Sequence, residues 1–157
     1  MKALVPTAQL PAELTELRQW VTWQFEERDG KRTKVPYQPG RTSRASTTNS
    51  RTWGSYGDAL EATEVDGIGF VFTADDPFCG VDLDACVDEG AVHPDALAIV
   101  HSLDSYTELS VSGTGVHVIV RAAIPEGEKL KTRKTPWGGM FETYDRGRYF
   151  CMTGRQL

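Results

Sequence analysis

The chain has 157 residues, a length that favours one domain and allows a full hydrophobic core. Hydrophobic residues make up 39%, charged residues 25%, and the mean hydropathy is −0.38, which excludes a collagen-like, a disordered or a membrane-spanning chain. Residues 1–14 contain one lysine and no sustained apolar run, so they do not resemble a secretory signal. The three cysteines form no CxxC pair, which argues against a disulfide framework and a cysteine zinc site. We therefore expect a reduced, cytoplasmic protein.

Basic and acidic residues are separated along the chain, although the formal net charge is only −5. Residues 31–51 carry six basic and no acidic side chains. Residues 52–120 carry 13 acidic side chains and neither lysine nor arginine. Such blocks fit either a solvated acidic surface or a divalent-metal site whose anionic substrate is held by flanking basic residues.

The hydrophobic pattern and the turn residues predict an α+β protein with a mostly antiparallel sheet and flanking helices. Asp29-Gly30 predicts a hairpin turn, and Asp145-Arg146-Gly147 predicts a second hairpin near the end of the chain. Helices are predicted over residues 11–19, 52–64 and 94–103. Strands are predicted over residues 20–26, 31–37, 67–73, 78–84, 106–111, 116–121, 140–144 and 148–153, and a basic loop over residues 125–136.

Two carboxylates end the strand predicted at 78–84. Asp82 and Asp84 are two positions apart, so on a strand they point to the same face. Adjacent carboxylates repel each other unless a cation lies between them, and hard oxygen ligands suit Mg²⁺ or Mn²⁺, which bind phosphates. Gly80 on the same face leaves room for a ligand. The alternative interpretation is a solvated strand end.

The segment 110–117, Ser-Val-Ser-Gly-Thr-Gly-Val-His, is a second candidate site. The backbone around Ser112, Gly113 and Thr114 can form a concave run of N–H groups that binds an anion. His117, on the strand that follows, can donate to a phosphate oxygen. The segment is neither a Walker A loop nor a dinucleotide fingerprint, and a glycine hairpin with a surface histidine is the alternative.

Three further residues are candidates for the same chemistry. Glu142 lies among apolar neighbours and needs a partner, either a metal shared with Asp82 and Asp84 or a salt bridge to Arg148 across the predicted hairpin. Arg148 could instead hold a triphosphate, because the guanidinium suits phosphate geometry. Lys34 could clamp phosphates, or it could simply keep an exposed hairpin edge soluble.

Taken in order, these segments resemble the primase–polymerase domain of phages, plasmids and other mobile elements, in the archaeo-eukaryotic primase superfamily. The resemblance runs from about Leu17 to Gly154. It implies a palm related to the RNA-recognition-motif sheet, and a single catalytic domain over residues 1–157. Family members usually continue beyond the segment that matches Thr153-Gly154, so the chain is expected to be a fragment or a compact version. The segments that carry the resemblance are Lys-Val-Pro-Tyr, Thr-Trp-Gly-Ser-Tyr, Gly-Ile-Gly-Phe-Val-Phe, Gly-Val-Asp-Leu-Asp, Ser-Gly-Thr-Gly-Val-His and Phe-Glu-Thr-Tyr-Asp-Arg-Gly-Arg-Tyr-Phe.

The resemblance also implies roles for individual residues. The catalytic residues, which hold Mg²⁺ or Mn²⁺, are Asp82, Asp84 and Glu142. The nucleotide-binding residues are Ser112, Gly113, Thr114, His117, Lys34 and Arg148.

The implied activity is template-directed, two-metal nucleotidyl transfer from (d)NTPs in DNA replication. The implied partners are a single-stranded DNA template, a primer and a helicase on a separate chain or missing domain. The setting is the cytoplasm of a bacterial, archaeal or phage-infected cell. A metal-dependent nuclease, and a nucleotide- or DNA-binding module without turnover, remain as alternatives.

Overall fold

The computed structural model describes residues 10–128 and 132–157, so residues 129–131 of the predicted basic loop lie outside the described residues. It contains three α-helices and one 3₁₀ helix within that part of the chain: α1 (Ala12–Thr15), η1 (Ser50–Thr52), α2 (Tyr56–Glu61) and α3 (Pro94–Leu103). The strands there are β1 (Trp20–Arg28), β2 (Lys31–Tyr37), β3 (Gly67–Phe72), β4 (Phe78–Leu83), β5 (Val87–Asp88), β6 (Ala91–Val92), β7 (Tyr106–Leu109), β8 (Val116–Arg121), β9 (Thr132–Lys134), β10 (Met140–Tyr144) and β11 (Arg148–Met152).

The helices and the mostly antiparallel strands confirm the predicted α+β class. The chain divides into two compact units. The first unit contains the described residues up to Val71 together with Tyr149–Gly154, and the second contains Phe72–Arg148 and Arg155–Leu157. That the whole chain acts as a single catalytic domain stays a prediction. No helix within the described residues has the length and apolar character needed to cross a membrane.

The first unit is built on a four-stranded sheet with the strand order β11-β3-β1-β2. The predicted turn between β1 and β2 is confirmed, because Asp29 and Gly30 both have positive φ, 52° and 72°, as a tight hairpin turn requires. Trp20, Trp23 and Phe70 are almost fully buried in its core. The sheet therefore places the basic segment 31–51 on an edge strand and the loop that follows it.

The second unit is built on a five-stranded sheet with the strand order β7-β8-β4-β10-β9, in which all pairings are antiparallel. One face packs against α3, through Val81, Leu83 and Val118 of the sheet and Ala96 of the helix. Because side chains alternate along a strand, the residues between these valines and leucines lie on the other face. That other face carries the polar residues singled out in the sequence.

Two predicted helices are shorter than expected. The first ends at Thr15, and the carbonyl of Leu14 accepts the Leu17 N–H (3.2 Å) in a tighter turn and the Trp20 indole N–H (3.1 Å). The second begins only at Tyr56, because Ser55 and Asp58 form a reciprocal capping box at its N-terminus.

The predicted hairpin around residues 145–147 is wrong. β10 pairs with β4 and β9, whereas β11 pairs with β3 in the other sheet. The turn residues are present, but β10 pairs with the preceding strand β9 and with the distant β4, while β11 pairs with the distant β3. The short hairpin of β5 and β6 and the strand β9, within the predicted basic loop, were not predicted.

Candidate active site

A row of polar side chains crosses the face of the second unit's sheet that is turned away from α3. Glu108 of β7 is directly opposite His117 of β8, and His117 is directly opposite Asp82 of β4. Asp82 is in turn directly opposite Glu142 of β10. Opposed residues of antiparallel strands share a face and have Cβ atoms about 5 Å apart. The register of the sheet alone therefore aligns these four side chains across adjacent strands.

His117 lies between two carboxylates. Its Nε2 is 3.8 Å from Oδ1 of Asp82, and its Nδ1 is 3.9 Å from Oε1 of Glu108. The side chain of Asp82 is 28% exposed, that of His117 is 11% exposed and that of Glu108 is fully buried. Asp82 is thus the carboxylate of this trio that a ligand can approach from solvent.

Glu108 was not among the predicted site residues. Its Oε2 accepts a hydrogen bond from the Tyr106 hydroxyl at 2.7 Å, and its Oε1 faces the imidazole of His117. The Tyr106 hydroxyl therefore supplies this buried carboxylate with a hydrogen bond, whereas the 3.9 Å separation from the imidazole is longer than a hydrogen bond. The sequence contained a signal for it, because pairing the two strands symmetrically about the loop at 110–115 places residue 108 opposite residue 117.

Glu142 is half-buried and accepts a hydrogen bond from the Tyr144 hydroxyl. Burial, together with this hydrogen bond, raises the pKa of Tyr144, so the phenol remains a donor at neutral pH. The salt bridge to Arg148 that the sequence left open is not formed. The guanidinium of Arg148 lies instead over the Tyr144 ring, 5.0 Å from its centroid.

Asp84 follows the last residue of β4 and is exposed. Its N–H donates to the Met140 carbonyl (2.9 Å), and its own carbonyl accepts from the Trp137 indole (2.8 Å). Glycines approach it from two sides: a Cβ at Gly139 would be 1.9 Å from the Asp84 carbonyl oxygen, and a Cβ at Gly115 would be 3.6 Å from its Cα. The backbone of Asp84 is therefore closely confined, while its carboxylate faces solvent.

The three predicted metal ligands are not gathered into a complete cation site. No group of three or more metal-ligating side chains is found among residues 10–128 and 132–157. Asp82 and Glu142 are opposed across two strands, and Asp84 lies beyond the strand end. The donor set still fits Mg²⁺ or Mn²⁺ in its chemistry, because carboxylate oxygens are their preferred ligands and two opposed carboxylates repel without a cation.

The predicted anion-binding loop satisfies its own backbone amides. The N–H groups of Gly113 and Gly115 donate to Ser110, to its carbonyl (3.0 Å) and its hydroxyl (3.1 Å), and the Thr114 N–H donates to the Ser112 hydroxyl (3.3 Å). The hydroxyl groups of Ser110, Ser112 and Thr114 form a continuous chain, with oxygen separations of 3.1 and 2.8 Å. An anion that enters this loop must therefore compete with the serine oxygens.

Arg155 holds this loop from the C-terminal segment, and sequence reasoning missed it. Its guanidinium donates to the carbonyls of Ser110 and of Val111, the latter at 3.0 Å. Gly113, at φ +77°, occupies the left-handed region that the turn requires. Nothing local marks Arg155, because it is more than 40 residues from the carbonyls that it contacts.

Lys34 belongs to the first unit, whereas the residues described above belong to the second. It is exposed on β2, the edge strand of the first unit, and its carbonyl accepts a hydrogen bond from the Tyr149 hydroxyl (2.8 Å). Its role in nucleotide binding stays a prediction.

The chain is similar to a known replication protein. Over 146 residues it is 40% identical to the DNA primase-polymerase of Nitratiruptor phage NrS-1, an alignment that covers 90% of this chain. The chain spans about a fifth (20%) of the length of that relative. No protein-family model matches the chain. The similarity confirms the resemblance that the sequence motifs indicated.

Proposed function

We propose that this chain, which is related to the phage-type DNA primase–polymerases, carries the nucleotidyl-transfer site of such an enzyme. The observation that best supports the proposal is the cross-strand row in which Asp82 lies between His117 and Glu142. Carboxylates such as Asp82 and Glu142 suit divalent metals, and a histidine such as His117 can donate to a phosphate, when they lie together on one face of a sheet. The proposed reaction is template-directed addition of a nucleotide from a (d)NTP to a DNA strand.

The acidic residues are proposed to hold the metal ions. Asp82, Glu142 and Asp84 would hold two divalent cations, Mg²⁺ or Mn²⁺. When bound, such ions lower the pKa of an attacking 3′-hydroxyl and stabilise the leaving pyrophosphate. The Tyr144 hydroxyl donates to Glu142 and thereby fixes the direction of its carboxylate.

The nucleotide would be held by the neighbouring elements. His117 would donate to a phosphate oxygen through Nε2, the ring nitrogen that faces Asp82. The hydroxyl groups of Ser112 and Thr114 can rotate to donate to phosphate, and Gly113 supplies the positive φ of the turn between them. These contacts contribute by positioning and by neutralising charge, which is how proteins lower the barrier of phosphoryl transfer.

The substrates that follow from this proposal are a (d)NTP, a single-stranded DNA template and a primer. Arg148 and Lys34 are proposed as further phosphate contacts, and a helicase partner remains a prediction from the resemblance alone. A cytoplasmic location is proposed with the same reasoning, because replication of phage DNA takes place there.

The proposal is tested by incorporation of labelled nucleotides on a single-stranded template with Mg²⁺ or Mn²⁺, with and without a primer. Asp82→Asn is expected to abolish product and to leave the unfolding transition in place, because it removes one of two opposed carboxylates. The matched control is Asp75→Asn, which makes the same chemical change at an exposed turn position of the second unit. Full incorporation by Asp82→Asn would contradict the proposal.

Two further measurements distinguish the proposed polymerase from a nuclease and from a binding module without turnover. Cleavage of labelled DNA without added nucleotides would indicate a metal-dependent nuclease. Metal-dependent binding of dNTP in a calorimeter, without any product, would indicate a binding module without turnover.

A further inference from the structure

A polar cleft of about 340 Å³ lies in the first unit, and every residue that lines it belongs to that unit. Three arginines contribute to its walls: Arg18 after α1, Arg41 after β2 and Arg51 in η1. The acidic residue in the lining is Asp58. None of these residues belongs to the candidate active site described above.

The arginines of this region fall into two groups. Arg32 and Arg44 are engaged by protein groups: the first lies over an aromatic ring at 3.6 Å, and the second pairs with Glu26 at 2.7 Å. Arg41 and Arg51, which line the cleft, are exposed, and neither has a carboxylate oxygen within 4.0 Å in the described parts of the chain. Of these four arginines, the two that neither lie over an aromatic ring nor pair with a carboxylate are thus the ones that line the cleft.

The presence of a carboxylate in this basic cleft is explained by the capping box of α2, to which Asp58 belongs. Its Oδ2 accepts the Ser55 N–H at 2.9 Å, and these backbone and side-chain hydrogen bonds with Ser55 lower the pKa of Asp58. The same oxygen is 3.5 Å from Arg18, and both side chains are half-exposed or more. One carboxylate against three guanidinium groups leaves the cleft positively charged.

Gly54, a lining residue of the cleft, leaves no room for a side chain. Its N–H donates to the Trp20 carbonyl (2.8 Å) and its carbonyl accepts from the Trp20 N–H (3.0 Å), so its backbone is fixed to β1. A Cβ at this position would lie 3.0 Å from Cγ of Pro39 and 3.1 Å from Oδ2 of Asp58. Any side chain here would therefore press on two of the residues that form the cleft.

We infer that this cleft binds the phosphodiester backbone of a single-stranded nucleic acid, and this inference rests on the proposed function. Guanidinium groups present paired N–H donors that match phosphate oxygens, and they carry no sequence preference by themselves. Trp53, the aromatic residue in the lining, is only 8% exposed, and its indole N–H is bonded to the Ser46 carbonyl (2.7 Å). It is therefore not a platform for stacking a base, and the contact is with the backbone rather than with bases.

Binding of a labelled single-stranded oligothymidylate, measured by fluorescence anisotropy over a range of salt concentrations, tests the inference. The variant is Arg41→Gln/Arg51→Gln. The matched control is Lys31→Gln/Arg32→Gln, which removes the same charge from the β1–β2 hairpin of the same unit, outside the cleft. The cleft variant is expected to bind about tenfold or more weakly than wild type, and the control about as tightly as wild type. Loss of two phosphate contacts should also reduce the slope of log K against log salt by about 1.4.

Several results would overturn the inference. Equal weakening by the cleft variant and the control would show that only net charge matters. Unchanged affinity and salt slope in the cleft variant would place the strand elsewhere. Loss of binding to free dNTP, with strand binding intact, would make the cleft a nucleotide site. If Arg41→Lys/Arg51→Lys, which keeps the charge but removes the paired donors, binds as tightly as wild type, the paired N–H donors of arginine are not needed and charge alone holds the strand.

The proposed function and the cleft fail in different ways. If the cleft is wrong but the function is right, the cleft variant binds DNA normally and wild type still makes product that depends on Asp82. If the function is wrong, wild type makes no such product. A wild-type chain that binds no oligonucleotide overturns both.

Discussion

Gly139→Ala is expected to inactivate the candidate site although it adds only a methyl group and removes no polar atom. The new Cβ would lie 1.9 Å from the carbonyl oxygen of Asp84 and 2.8 Å from its carbonyl carbon. Both are backbone atoms, so no side chain can rotate away to make room. The two segments must separate by about 1 Å to reach the shortest distance that real Cβ atoms show.

That displacement has two separate costs. The free energy of unfolding should fall by about 1–3 kcal/mol, the usual cost of overpacking, because the Asp84 contacts to Met140 and Trp137 are strained or lost. A misplacement of about 1 Å at a reacting centre costs roughly 100-fold in rate. The nucleotide incorporation rate should therefore fall by about that factor.

Gly138→Ala provides the matched control, because Gly138 adopts a positive φ but has no atom close to the position of a Cβ. Gly138 has φ +89°, and a Cβ there would meet no heavy atom within 4 Å. Alanine in the left-handed region costs about 1–2 kcal/mol, but nothing pushes on Asp84. Urea unfolding followed by tryptophan fluorescence, beside primer extension, should show similar destabilisation in both variants and inactivation only in Gly139→Ala. Equal activity in the two variants would refute the argument.

Three other perturbations test the site and its surroundings. Glu108→Ala should lower the free energy of unfolding by about 1–3 kcal/mol in urea titrations, because the half-buried Tyr106 hydroxyl loses its acceptor, whereas Glu108→Gln, which keeps an acceptor, should cost less. Tyr144→Phe should weaken the apparent affinity for Mn²⁺ in extension assays by about 10–100-fold, since Glu142 loses the donor that directs it. Burial raises the pKa of Cys86 to about 11, while an exposed thiol titrates near 8.5. Burial of the neutral thiol therefore contributes its full stabilisation below about pH 8.5. As the pH rises from there to about 11, the free energy of unfolding should fall by up to about 1.4 kcal/mol per pH unit. Cys86→Ala should remove this pH dependence.

Elements with strong local signals could be predicted from the sequence. The Asp29-Gly30 turn and the strands on either side of it are confirmed, because both residues tolerate positive φ and the flanking strands alternate. The helix that begins at Pro94 is confirmed over its full length. The hairpin around residues 145–147 was wrong, because turn residues show where the chain bends but not which strand becomes the partner.

The alternation of side chains along a strand predicted which site residues share one face of the sheet. Asp82 and His117 were placed on strands, and the register then brought them together with Glu142. Glu108 was missed because a glutamate on a strand suggests solvent exposure, and its burial depends on packing beyond its own strand. Arg155 was missed because its contacts are formed across a long sequence separation.

The strand order of the second sheet gives the acidic residues unequal protection against local opening. β4, which carries Asp82, has a paired strand on each side, and β8 beside it is likewise paired on both sides. β10, which carries Glu142, is separated from the sheet edge only by β9, three exposed residues long. Local unfolding begins where few contacts must break, so fraying of β9 would turn β10 into the edge strand while Asp82 and His117 stay paired. The backbone under Glu142 is therefore the first part of the proposed catalytic surface to exchange its amide hydrogens.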